Sequence, residues 1–104
     1  MKTRFVFGRV IAPAAIALVA ALPAAAEPNM DKYNKSCAMC HNGALPMAPK
    51  THDAKAWEPR LAKGMDALLA SVKNGLNAMP ATGMCSDCTD EEYKALIKYM
   101  STPQ

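Results

Sequence analysis

No acidic residue precedes Glu27, and that absence divides the 104-residue chain. The first 26 residues instead carry Lys2, Arg4 and Arg9, then an apolar run from Val10 to Leu22, then Ala24-Ala25-Ala26. A basic start, a short apolar middle and a small-residue cleavage site form the pattern of a secretory signal peptide. A retained membrane anchor is the competing reading. Against it, a spanning helix needs about 20 apolar residues, and this run is short and accompanied by Pro13 and Pro23. The expected organisation is a cleaved signal over 1–26 and one domain over 27–104.

Net charge is missing as well. The whole chain is formally +3, but three of its twelve basic residues lie in 1–26 and none of its nine acidic ones do. Residues 27–104 therefore carry nine of each, which removes any electrostatic case for nucleic acid or an acidic membrane surface. Repeats, low-complexity tracts and alternating strand patterns are also lacking, so the expectation is an all-α fold. A domain of this size has little core of its own and needs a staple.

The staple is legible in Cys37-Ala38-Met39-Cys40-His41. Two cysteines two residues apart, followed at once by histidine, form the attachment signature of a c-type haem. One helical turn brings both sulfurs to one face, where they can reach the two vinyl groups on one porphyrin edge. His41 then offers an imidazole nitrogen as the proximal iron ligand. Its other ring nitrogen needs an acceptor to hold the ring. The Asn42–Thr51 stretch, broken by Gly43, Pro46 and Pro49, reads as the loop that supplies one, and the Pro49 carbonyl is the candidate.

What fills the sixth iron position decides the chemistry, and Met39, Met47, Met65, Met79, Met84, Met100 and His52 compete for it. Met39 lies between the anchors, Met47 stands only six residues past His41, and Met65 and Met100 fall on apolar helix faces. Met79 comes 38 residues after His41, in a loop, with Pro80 restricting it to extended backbone. It is the favoured ligand, with Met84, His52 or an open position as the alternatives. A His/Met pair raises the reduction potential and suits an electron carrier. An open position would suit a haem enzyme or a ligand sensor.

Cys85 and Cys88 repeat the spacing, but Thr89 follows where a second haem would need histidine. Zinc held by all four cysteines would leave 44 residues between the pairs, against the usual interval of about 15–20, and would leave His41 without a role. A disulfide is the economical reading in an oxidising compartment, with a redox dithiol as the alternative. So short a loop would contribute only roughly 2 kcal/mol.

The spacing predicts a helix from Met30 to Cys37 or slightly beyond, with Met30, Tyr33 and Cys37 on one face. Asp53 can cap a helix starting at Ala54. Pro59 is expected to divide that stretch, leaving Ala54–Glu58 irregular or a single turn. A helix over Asp66–Lys73 carries Met65, Leu68, Leu69 and Val72 as a core stripe, and 74–88 reads as a loop. The last helix opens on a capping box, Thr89 with Glu92, and presents Tyr93, Leu96, Ile97 and Met100 on one face.

Taken together, these stretches resemble the class I c-type cytochromes, and within them the cytochrome c5 group. The resemblance runs through Cys37–His41, Ala48-Pro49-Lys50, Ala56-Trp57-Glu58-Pro59-Arg60, Lys63-Gly64 with Ala67-Leu68-Leu69, and Asn74-Gly75 with Ala78-Met79-Pro80. Cys85 and Cys88 before Asp90-Glu91-Glu92-Tyr93 complete it. It implies three to five short helices around one covalently bound haem c, ligation by His41 and Met79, and a Cys85–Cys88 disulfide. It also implies a periplasmic electron carrier, not an enzyme, that meets membrane-associated or periplasmic redox proteins transiently, without stable membrane insertion once the signal is removed. Trp57 and Arg60 occupy positions where such proteins surround the haem propionates, with core packing as the other role for Trp57. The family usually has glycine where this chain has His52, which marks His52 as a candidate surface contact.

Overall fold

The computed structural model describes residues 26–104 and, apart from them, Gly8. The expected signal peptide otherwise lies outside the described residues. Among the described residues there are no strands, and no helix is long and apolar enough to cross a membrane.

The first helix, α1 (Met30–Lys35), starts where the Asn29 side chain accepts the Lys32 N–H at 3.2 Å. It does not run on through Cys37 as expected. The Ser36 hydroxyl donates to the Lys32 carbonyl, and the Ser36 N–H bonds back to the Tyr33 carbonyl. A hydroxyl that competes for the helix's own acceptors favours a break, and the Ser36 backbone turns away from helical geometry. The two thiols therefore ride on a separate turn, α2 (Ala38–His41), with Cys37 at its N-cap.

Asp53 caps α3 (Ala54–Leu61) by accepting the Ala56 N–H. Here the expectation fails again, because α3 is continuous through Pro59. Proline removes one bond, the one its N–H would have made to the Lys55 carbonyl. Lys55 is exposed, so water can satisfy that carbonyl, and the helix ends two residues later.

Gly64 and Gly75, at φ 88 and 86, bracket α4 (Met65–Asn74). Its apolar stripe is half-buried, not closed into a core: no α4 residue is fully buried. Met65, Leu68 and Val72 pack on the core's edge, and Leu68 and Val72 also face the cavity described below. The last helix, α5 (Asp90–Ser101), opens on the reciprocal Thr89–Glu92 capping box, with Asp90 and Glu91 at the positive end of its dipole. It supplies most of the core: Leu96, Ile97 and Met100 close on Tyr33 from α1 and Trp57 from α3. Tyr33 meets Tyr99 edge-on at 5.1 Å, and Lys32 joins Glu92 at 2.9 Å. These contacts fasten the two ends of the domain together.

Candidate cofactor site

The helices leave a cavity of about 460 Å³, within the range for cofactor sites. Cys37, Cys40, His41 and Met79 all line it, with Leu68, Val72, Leu96 and Ile97 among its apolar walls.

On one wall, α2 places Cys37 and Cys40 one turn apart, both as free thiols. Burial pushes the Cys37 thiol up, which keeps it in the S–H form. His41 is buried at 7% exposure, and its Nδ1 lies 2.7 Å from the Pro49 carbonyl. A carbonyl only accepts, so Nδ1 carries the hydrogen and Nε2 is the free donor lone pair. The neighbouring Thr51 N–H donates to the His41 carbonyl at 2.7 Å.

The 76–85 loop forms the other wall. Leu76 and Met79 exchange both backbone hydrogen bonds, at 3.0 and 2.9 Å, around a tight turn in which Asn77 has φ 52. This pins the Met79 backbone. Pro80 then leads into a 3-10 turn, Ala81–Met84. The sulfurs of Cys85 and Cys88 stand at bonding distance, 1.95 Å. Cys85 is buried, and its carbonyl accepts the Tyr93 hydroxyl at 2.5 Å, which fastens this loop to α5.

The competing ligand positions separate on geometry. Met47, Met79, Met84 and Met100 line the cavity, whereas Met39, Met65 and His52 do not. Met100 is a core residue at 3% exposure, and Met47 and Met84 are 79% and 56% exposed. His52 is occupied elsewhere: its Nδ1 donates to the Thr102 carbonyl at 2.7 Å and its ring meets Tyr99 edge-on.

Arg60 lines the cavity and donates from one guanidinium nitrogen to the Ala56 carbonyl. Trp57 lines the cavity beside His41, and its indole N–H donates to the Lys50 carbonyl at 2.9 Å. Sequence reasoning missed this bond. A Trp seven residues after Lys50 carries no local signal for it, because the loop must fold back first. Two thiols, an imidazole with its outer nitrogen fixed, a thioether and apolar walls together fit a flat, covalently attached metalloporphyrin. The site defines a small helical haem protein.

Comparison with known proteins agrees. The family described as cytochrome c oxidase, cbb3-type, subunit III matches residues 24–100. Cytochrome c5 of Azotobacter vinelandii is 51% identical over 73 residues, covering 68% of this chain and 88% of the relative. Cytochrome c5 of Ectopseudomonas mendocina is 42% identical over 73 residues, covering 68% and 84%. The cytochrome c in a crystal structure of an electron transfer complex with nitrite reductase superposes with a TM-score of 0.62 at 39% identity, covering 69% of this chain and 88% of that one. The chain belongs to the class I c-type cytochromes, of the c5 type. It is an electron carrier with a covalently bound haem c, and not an enzyme.

Proposed function

We propose that residues 27–104, freed of a signal over 1–26, form a periplasmic carrier that passes one electron at a time through a single haem. The Cys37 and Cys40 thiols would hold the haem through thioether bonds to its vinyl groups, an addition that needs no oxidant. His41 Nε2 and the Met79 sulfur would hold the iron. Haem supplies a one-electron iron couple; the chain sets its potential and its access. The Met79 thioether, a soft donor, favours the reduced metal and raises the potential. With iron held by both side chains, no site would be left for dioxygen or peroxide. A disulfide between Cys85 and Cys88 keeps the Met79 loop against the start of α5. The partners are membrane-associated or periplasmic redox proteins, met through interfaces below about 1,200 Å². The relative solved with nitrite reductase supports a partner of that general kind.

One observation carries this reading: His41, its Nδ1 fixed on the Pro49 carbonyl, and Met79, its backbone fixed on Leu76, line one cavity. Met79→Ala tests it. The wild type should show a low-spin spectrum with the far-red methionine-to-iron band and should resist carbon monoxide. The variant should lose the band, bind carbon monoxide and fall in potential. An unchanged spectrum and potential would reassign the sixth position, and a wild type already open to carbon monoxide would mean that no side chain of the protein fills it.

A further inference from the structure

We propose that Trp57 is a positioning residue for His41 and that it lowers the reduction potential through the proximal loop. The inference rests on the reading of His41 as an iron ligand. Trp57 is 4% exposed, and its ring stacks on the His41 imidazole, with centroids 5.7 Å apart and planes 28° apart. Its indole N–H donates to the Lys50 carbonyl at 2.9 Å. That carbonyl shares a peptide group with the Thr51 N–H, which donates to the His41 carbonyl at 2.7 Å. A peptide polarised at its oxygen is a better donor at its nitrogen, so the two bonds reinforce each other. One residue earlier, the Pro49 carbonyl receives His41 Nδ1–H at 2.7 Å.

Trp57 thus holds the histidine in three ways: by the face of its ring, by its backbone carbonyl, and by the loop that carries its ring acceptor. A firm Nδ1–H···O bond makes imidazole the stronger electron donor. A stronger donor stabilises the more positive, oxidised metal, so Trp57 works against the upward pull of the Met79 thioether. A Trp57 that donated to a propionate would do the reverse. It would disperse negative charge near the metal and raise the potential.

Opposite signs make the test decisive. Trp57→Phe keeps an aromatic face and removes the N–H. In the holoprotein its potential should rise, and the His41 Nδ1–H should exchange with solvent several-fold faster by NMR. Trp57 is the chain's single tryptophan, so growth on a ring-fluorinated tryptophan alters this residue alone. Fluorination strengthens the indole donor without changing its shape, and the potential should fall. This arm still decides the matter if Trp57→Phe folds poorly. A drop with Trp57→Phe and a rise with the fluorinated ring would overturn the proposal in favour of a propionate contact. No movement in either would reduce Trp57 to packing. Failure of the His41 reading itself would show earlier, as a wild type lacking a histidine-ligated, low-spin spectrum.

Discussion

His52 holds a left-handed backbone at φ 70, a conformation glycine adopts without strain. Its compensation is visible: the His52 N–H donates to the Met100 carbonyl at 2.6 Å, and the ring ties to Thr102 and Tyr99. The side chain acts as a clasp between the proximal loop and the end of α5. Gly75 shows the opposite case, a position with no room for a side chain. A Cβ there would stand 3.0 Å from the Ala81 nitrogen and 3.0 Å from the Met79 carbonyl, and the residue sits at φ 86. Those neighbours are backbone atoms of the loop that carries Met79, so they cannot turn aside as a side-chain tip would. Gly75→Ala should therefore cost about 1–3 kcal/mol for a backbone, φ 86 and ψ 156, that glycine alone adopts readily, and also push Met79 from its place. The holoprotein should show a weakened far-red band and measurable carbon monoxide binding, with the helical circular dichroism little changed. A variant with an intact band and a full wild-type potential would mean that the Gly75–Met79 contact does not position the ligand.

Between elements, the Lys32–Glu92 pair is the main polar tie from α1 to α5, and its response to pH has a definite sign. Hydrogen bonding to Lys32 holds the Glu92 carboxyl below its ordinary 4.5, and hydrogen bonding to Glu92 holds the Lys32 ammonium above its ordinary 10.5. A lowered acid stabilises the fold above its ordinary value and loses that contribution as pH falls through the lowered one. A raised base stabilises below its ordinary value and loses the contribution as pH rises through the raised one. The pair's contribution should be flat between 4.5 and 10.5 and decline outside that window. It should be modest, because both side chains contact solvent. Urea unfolding of the holoprotein across acid pH checks this: Glu92→Gln should start less stable and lose less on acidification, and parallel losses would remove the pair from the account. Helix starts at this scale were readable in advance because Asp53 and Thr89 act within their own first turns. The break at Ser36 and the unbroken run through Pro59 were not. The first turns on one hydroxyl choosing its own chain's carbonyl, the second on a lost bond falling at an exposed position. The same division holds in the site. Spacing singled out Cys37, Cys40, His41 and Met79, which line one cavity, whereas the Trp57–Lys50 bond needs a loop returned through space.

Residues 26–104 form a shell with its core on one side. Leu96, Ile97, Met100, Tyr33 and Trp57 are buried, while α4 contributes no buried residue and its Leu68 and Val72 face the cavity. The apolar side chains of α4 thus face a space of about 460 Å³. At ~24 cal/mol per Å³, keeping such a space dry and unfilled would cost on the order of 10 kcal/mol. That matches the entire stability of a small domain, about 5–15 kcal/mol. A chain that cannot attach its cofactor therefore has to flood the cavity or collapse into it. Either course separates α4 and the Met79 loop from α5. Cys37→Ser with Cys40→Ser should yield a colourless product with most of its helical circular dichroism lost and no cooperative thermal transition. The proposed Cys85–Cys88 disulfide could not rescue it, since a loop that short would constrain the unfolded chain by only roughly 2 kcal/mol. A double variant that melts cooperatively at the wild-type temperature would show that the helices pack without the cofactor. A coloured, low-spin product would show instead that His41 and Met79 hold the haem unaided, leaving the thioethers to set permanence and not the fold.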